Sequence, residues 1–223
     1  MIHIKKSYPK PSPELIAAFL EQSTATVHEV MGKRGAMHSS VKPLASGMKA
    51  CGPALTVKSH AGDNIMVLKA LDLAREGDML VIDVGQLSEE GPWGEITTVQ
   101  AQLKKVAGLV IDGSVRDSME IKQAGFPVFC KGVSIVGTAK ASLGLINHPI
   151  SCGNIIVNPG DIILADEDGV VVIPLAEAEE VLVKSRERVA TELTYIERMK
   201  AGESLWAISK NQAVLDSKGC IEE

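Results

Sequence analysis

Two acids and an arginine are spaced so that one strand–turn–helix unit can gather them. They are Glu95, Arg116 and Asp117, in the stretch WGEITTVQAQLKKVAGLVIDGSVRD, residues 93–117. Gly94, Glu95, Ile96 and Thr97 open a helix whose first backbone N–H groups have no partner inside it and point at any anion in front of them. Arg116 presents a planar fork of donors matched to a carboxylate. Asp117 presents hard oxygen suited to a divalent cation. Between them VAGLVID, residues 106–112, is a short apolar run ending in Asp-Gly, the pattern of a buried strand. If strand and helix pack as one unit, the helix start and Arg116–Asp117 share an end of it. An anion cradle, a guanidinium and two carboxylates then surround one hole.

Each of these residues has a plainer reading by itself. Glu95 sits in a first helical turn, where the dipole favours acids, and Arg116–Asp117 reads equally as a solvated ion pair. Asp83 and Asp112 each end an apolar strand, where a carboxylate commonly caps the turn that follows. The combination is what points to a metal-dependent, carboxylate-binding site. His3, His28, His38, His60 and His148 are far apart in sequence and suggest no zinc site. No GxSxG, HExxH, GxxxxGK[ST] or GxGxxG occurs, which removes the commonest serine-hydrolase, zincin, nucleotide and dinucleotide signatures.

The elements that must position these groups follow from pattern. Ser12-Pro13-Glu14 starts a helix, and residues 24–31 form a second, closed by Gly32. Residues 50–60 contain a strand. Gly62-Asp63-Asn64 then caps a helix over residues 65–76, and residues 78–85 are the next buried strand. A polar loop, residues 86–92, leads into the helix of the opening stretch, and residues 86–93 are expected to shape the distal half of the pocket. A short helix, SMEIKQAG, ends at Gly125, and strand-like runs follow: PVFC, VSIVGTA, NIIVNPG, DIILADEDG and VVVIP. Strand–helix alternation in the first half predicts parallel strands with crossovers. Residues 126–174 predict a second, largely antiparallel layer. The domain division is 1–174 for the α/β body with its N-terminal helices and 175–223 for a helical extension. That extension carries Val181, Val189, Leu193 and Ile196 and packs on the core or on a neighbouring subunit.

Whole-chain properties bound the partners. With 223 residues, 45% hydrophobic and 23% charged, the chain can bury a core. A net charge of −5 and the lack of a basic stripe argue against nucleic acid. No run of about 18 apolar residues exists to cross a membrane, and the N-terminus shows no apolar signal-peptide core. Four scattered cysteines without metal spacing predict reduced thiols and a cytoplasmic location.

Glu95, then twenty residues, then Arg116-Asp117 resembles the acid-x20-Arg-Asp signature of the class II pyruvate aldolases. Those enzymes cleave 4-hydroxy-4-methyl-2-oxoglutarate and 4-carboxy-4-hydroxy-2-oxoadipate and are related to the regulator of ribonuclease E activity A. CGPALTVK, GDNIMVLKAL, GDMLVIDVG, IDGSVRD and PGDIILADEDGVVVIP are similar to that family as well, and the likeness runs from Ala25 to Glu203. The resemblance implies an α/β/β/α sandwich of the swivelling-domain type with mixed sheets and a C-terminal helical tail. It implies a homotrimer or homohexamer with active sites between subunits, and a small 2-oxo acid as substrate. It further implies Mg²⁺ or Mn²⁺ on Asp117, with Arg116 on the pyruvyl carboxylate or keto oxygen. The N–H groups of residues 94–97 would meet the substrate carboxylate, and Glu95 would hold a water of the cation. Glu192 would reach the cation's outer shell from a neighbouring subunit. One departure stands out: the best-known aldolases have aspartate where this chain has Glu95, one methylene longer.

Two functions share this fold. The first is a metal-dependent lyase that releases pyruvate from a 4-hydroxy-2-oxo diacid and decarboxylates oxaloacetate, of the kind used in aromatic-compound degradation. The alternative is a non-catalytic protein-binding regulator of the ribonuclease E type. Those regulators are short, ending near residues 175–183, whereas this sequence continues and includes Glu192, which favours the enzyme. A phosphohistidine swivelling domain, suggested by ADEDGVVVIP, lacks the phosphoacceptor histidine.

Overall fold

The structure is a computed structural model that describes residues 2–85 and 89–221. In chain order its elements begin with β1 (His3–Ile4), α1 (Pro13–Leu20), α2 (Thr24–Val30), β2 (Lys42–Pro43), β3 (Ala50–Lys58), α3 (Ile65–Leu73) and β4 (Met79–Asp83). Next come α4 (Glu95–Leu103), β5 (Gly108–Ile111), β6 (Ser114–Val115), α5 (Ser118–Ala124), β7 (Val128–Cys130) and β8 (Gly132–Val133). Then follow β9 (Leu145–Ile146), β10 (Ile150–Cys152), β11 (Ile155–Val157), β12 (Ile162–Asp166) and β13 (Gly169–Ile173). The chain closes with α6 (Ala178–Lys200), α7 (Leu205–Ile208) and α8 (Gln212–Ser217).

Strand β3 is the axis, because its two halves serve two sheets. Residues 54–58 run parallel to β4, with Ala54 opposite Met79 and Lys58 opposite Asp83. From there β5 and β7 add on in parallel. Residues 50–53 pair antiparallel with β12, which turns back as β13. Every residue of β4 and β5 is buried, as expected of parallel strands covered on both faces.

Alternation along the strands sorts side chains into three cores. Leu55, Leu80, Ile82, Leu109 and Ile111 pack against Val67 and Leu71 of α3, Ala101 of α4 and Ile121 of α5. Ala54, Val81, Val110 and Phe129 face the other way, against Ile163, Ala165, Val170 and Val172. The outer face of the second sheet, with Ile162, Leu164, Val171 and Ile173, is covered by Phe19, Val27, Val181 and Leu182. The layers are helix, sheet, sheet, helix: the α/β/β/α sandwich. Each strand buries about 1.5–3 kcal/mol of transfer free energy per large apolar side chain.

The parallel first half and the long C-terminal helix lie where the pattern places them. Three readings need correction. PVFC, assigned to the antiparallel layer, is β7 of the parallel sheet, since the α5 crossover returns the chain parallel to β5. VSIVGTA is a strand only at its first residue, because after one last bond to β6 the segment is tied to loops. Ser134 N–H donates to the Val115 carbonyl, Gly91 N–H to Val136, and Ala139 N–H to Gly62. Helix α3 stops at Leu73, not at residue 76: Ala74 turns extended and Arg75 N–H goes to the Asp78 carboxylate at 2.9 Å. Residues 86–88 of the loop expected to shape the pocket lie outside the described residues.

Cys51, Cys130 and Cys152 are buried and free, and Cys220 is exposed and free. Burial pushes the Cys51 thiol up to about 12 and Cys152 well above its ordinary value, so both stay protonated and unreactive. No helix among the described residues is long and apolar enough to cross a membrane.

Candidate active site

The start of α4 is fixed by Trp93. Its ring is fully buried, lies 6.1 Å from the Phe126 ring and nearly parallel to it, and donates Nε1–H to the Thr98 hydroxyl at 2.8 Å. Its carbonyl accepts the Arg116 N–H at 2.9 Å. This single bond ties the turn after β6 to the mouth of the helix, so the two ends of the 93–117 stretch meet.

Asp117 occupies the left-handed region, φ 52° and ψ 44°, which costs an L-residue other than glycine on the order of 1 kcal/mol. It precedes α5 but does not cap it. Its carboxylate turns to the other helix, where Oδ2 accepts the Glu95 N–H at 3.0 Å. The Arg116 Nε lies 3.5 Å from the same oxygen. Both side chains keep solvent access, 46% for Arg116 and 37% for Asp117. Gly94 makes this approach possible: a Cβ there would collide with Asp117 Oδ2 and press on Arg116 Cγ. At Gly91 a Cβ would press on the Arg116 backbone.

The helix mouth has four N–H groups to account for. Gly94 N–H donates to the Thr97 hydroxyl at 2.9 Å, and Glu95 N–H is taken by Asp117. Thr98 N–H closes the first helical bond to the Gly94 carbonyl. The N–H groups of Ile96 and Thr97 have no partner among the described residues, and both residues line a small cleft with Asn64, Gly94, Arg116 and Asp117. The cleft holds about 40 Å³, room for a cation and a water but short of a diacid. On the far side of Arg116–Asp117 a second hollow of about 180 Å³ is bounded by Ser118, Val133, Ser134 and Ile135. A hollow of about 250 Å³ elsewhere, between α2 and β13, is larger. It has no lysine or arginine in its lining and carries the carboxylate of Asp168, so size does not select the site.

Sequence reasoning named seven residues here, and six of them meet: Gly94, Glu95, Ile96, Thr97, Arg116 and Asp117. Glu95 and Ile96 have exposed side chains, Ile96 at 81%. Glu192 is not brought to the cleft by its own chain. It lies on α6, on the opposite helical layer, in an ion pair at 2.8 Å with Arg188, which also approaches Glu29 of α2. Asp83 and Asp112 do have their plainer roles. Asp83 pairs with Lys58 at 2.6 Å and accepts the Gly85 N–H. Asp112 pairs with Lys131 and accepts the Gly153 N–H at 3.0 Å.

Asn64 and Gly91 were not anticipated as parts of the cleft. The available signal for Asn64 was a doubled cap, Asp63-Asn64, of which only one residue can cap α3. Asp63 does so, and its buried carboxylate also accepts the N–H groups of Ala141 and Ser142 at 2.6 and 2.8 Å. Burial raises its proton affinity, but those backbone donors outweigh it and hold the carboxyl below the usual range.

Residues 24–172 match the family described as RraA-like, Aldolase/RraA. A protein of Halalkalibacterium halodurans named "Putative 4-hydroxy-4-methyl-2-oxoglutarate aldolase" is 37% identical over 177 residues, covering 79% of this chain and 84% of that protein. An uncharacterised Pseudomonas syringae protein of known structure superposes with a TM-score of 0.82 at 24% identity, covering 92% of this chain and 97% of that one. The Streptomyces coelicolor protein RraAS2, described as an unusual member of the RNase ES inhibitor RraA family, superposes with a TM-score of 0.76 at 26% identity. It covers 86% of this chain and is itself covered completely.

Proposed function

The chain belongs to the RraA-like (Aldolase/RraA) family, and on that premise we propose that it is a metal-dependent lyase. Its substrate is a 4-hydroxy-2-oxo diacid and its product is pyruvate, with decarboxylation of oxaloacetate by the same site. The observation that carries this reading is Asp117. A strained aspartate is drawn off its own helix to sit, beside an arginine, at the mouth of α4.

The donor set suits a water-rich cation. Among the described residues no three His, Cys, Asp or Glu side chains form a cage. Asp117 offers one partly exposed carboxylate, and Mg²⁺ or Mn²⁺ commonly takes one or two carboxylates plus waters. Asp117 would hold that cation directly, with Glu95 and a neighbouring subunit's Glu192 acting through water. When bound, the cation supplies positive charge that polarises the 2-keto oxygen.

The chain's own groups account for the other demands. Arg116 and the unpartnered N–H groups of Ile96 and Thr97 bind the pyruvyl carboxylate and keto oxygen, all of which only accept hydrogen bonds. As the C3–C4 bond breaks, its electron pair moves to C3 and the keto oxygen, and the Arg116 guanidinium stabilises the enolate that results. The proton of the 4-hydroxyl leaves through a water held by Glu95 as C4 becomes a carbonyl. A proton returned to C3 completes pyruvate. The enolate from oxaloacetate is the same, so loss of carbon dioxide from it uses the same groups.

A second reading, an RNase-inhibitor-like binding protein, is supported by the likeness to the Streptomyces RraAS2 protein. A coupled assay of pyruvate release separates the two. The lyase reading predicts turnover of oxaloacetate and of at least one 4-hydroxy-2-oxo diacid with Mg²⁺ or Mn²⁺, stopped by EDTA. No turnover with any of these supports the regulator, and full activity in chelator removes the cation from the mechanism.

A further inference from the structure

Two histidines that lie 145 residues apart in sequence meet at the edge of the main sheet. His3 is on β1 and His148 is in the turn after β9. His3 Nδ1 and His148 Nε2 are 3.1 Å apart, with ring centroids separated by 5.0 Å and planes tilted by 55°. The backbone beneath both rings is fixed. Strand β1 runs parallel to β9, with His3 opposite Leu145 and Ile4 opposite Ile146. The His3 and Lys5 N–H groups donate to the Gly144 and Ile146 carbonyls at 3.3 and 3.1 Å. Asn147 is buried in the left-handed region at φ 57°. Its Nδ2 donates to the Lys5 carbonyl at 2.7 Å, and its N–H donates to the Thr56 carbonyl at 2.9 Å. The buried Thr56 hydroxyl in turn donates to the His148 carbonyl at 2.6 Å.

Two ring nitrogens this close can share one hydrogen bond or one cation. A neutral imidazole has one N–H and one bare nitrogen, so in the bonded pair one ring donates and the other accepts. Moving the donor's proton to its outer nitrogen leaves both inner nitrogens bare, and the pair loses no proton. Zinc holds imidazole nitrogens at about 2.0–2.1 Å, which at a tetrahedral angle sets two of them roughly 3.3–3.4 Å apart. His3 is exposed and His148 half-buried, so a small rotation of the rings opens the difference. Desolvation, and then the charges of Lys5 and His3, hold His148 below its ordinary proton affinity and so in the form that ligates a metal. We propose that His3 and His148 form a bidentate Zn²⁺ site that fastens β1 to β9, with water in the remaining positions. The inference stands apart from the lyase reading. Neither histidine lines the cleft, and imidazole suits zinc whereas Mg²⁺ and Mn²⁺ favour oxygen.

The test is calorimetric titration of the full chain with ZnCl₂, in the wild type, His3→Gln, His148→Gln and the double variant. Glutamine keeps a side chain that hydrogen-bonds but offers zinc no imidazole. Hydrogen exchange of the His3 and Lys5 backbone amides, the two that join β1 to the β9 segment, is followed with and without Zn²⁺. The second imidazole binds an ion already held by the first, so each single variant loses at least about tenfold in affinity and the double variant loses little more. Zinc slows exchange of both amides in the wild type and in neither single variant. A wild type that binds no zinc, or wild-type affinity in either single variant, overturns the assignment. Losses that simply add in the double variant also overturn it, because they describe two independent surface histidines. So does wild-type amide exchange that ignores zinc, because the ion then fastens nothing.

Discussion

Asp117 shows how a single residue trades local comfort for a site. Its left-handed backbone and its unused capping position on α5 are both unfavourable, and both follow from the carboxylate being aimed at Glu95 N–H. Asp117→Ala should therefore lower kcat by at least about a hundredfold, the scale of losing a key transition-state group. Arg116→Lys should cost a similar factor, because an ammonium cannot reproduce the fork. Wild-type kinetics in both variants would move the chemistry elsewhere. Gly94→Ala is a sharper probe, since its added methyl must displace Asp117 Oδ2. Activity should fall nearly as far as in Asp117→Ala while thermal stability changes little; an alanine variant with normal turnover would show the carboxylate position to be unimportant. At this scale the sequence was informative about Arg116 and Asp117 because their chemistry is explicit in their types. It was mute on Asn64, whose place in the cleft wall depends on Asp63 winning the cap and on the bond from its amide to the Pro92 carbonyl, both tertiary facts.

At the scale of elements, the strands and helices that frame the cleft were readable because they are continuous apolar runs bounded by Asp-Gly or by capping residues. What escaped was the run after β8, where apolar Ile135 is 96% exposed and Val136 47% exposed. After one bond from Ser134 to β6, its hydrogen bonds go to loops around the site, and no local pattern encodes that choice. Asp63 holds the far end of this segment through Ala141 and Ser142. Its carboxyl titrates below its unfolded value, so between the two values the unfolded chain binds more protons and stability rises with pH. The clamp's contribution is complete above the ordinary aspartate range near pH 4 and fades as pH falls through the depressed folded value. Asp63→Asn should thus lower the thermal midpoint near neutrality and flatten its dependence on pH below about 4. Identical pH profiles for variant and wild type would show that the clamp carries no stability.

At the scale of the whole molecule, the sandwich leaves apolar surface beside the site. Ile96, Val99 and Leu103 on α4 are 81%, 47% and 76% exposed, and the second half of α6 exposes Leu193 and Ile196. The 40 Å³ cleft of one protomer is too small for a diacid. We take these together to support an assembly, a trimer or a hexamer, in which a neighbour completes the pocket and brings Glu192 to it. Glu192→Ala should then lose activity, by less than Asp117→Ala does, and an equal loss would contradict a role through water. The tail's amphipathic pattern was legible in sequence; where its apolar face finds a partner was not, because that information belongs to more than one chain.

The central claim is that a cation on Asp117 and the guanidinium of Arg116 together stabilise negative charge on a pyruvate fragment. Calorimetric titration with oxalate, a stable mimic of the pyruvate enolate, tests it most directly. The account predicts tight oxalate binding with Mg²⁺, little without it, and little in Asp117→Ala or Arg116→Lys even when Mg²⁺ is present. Oxalate binding that ignores Mg²⁺ and survives both substitutions would contradict it.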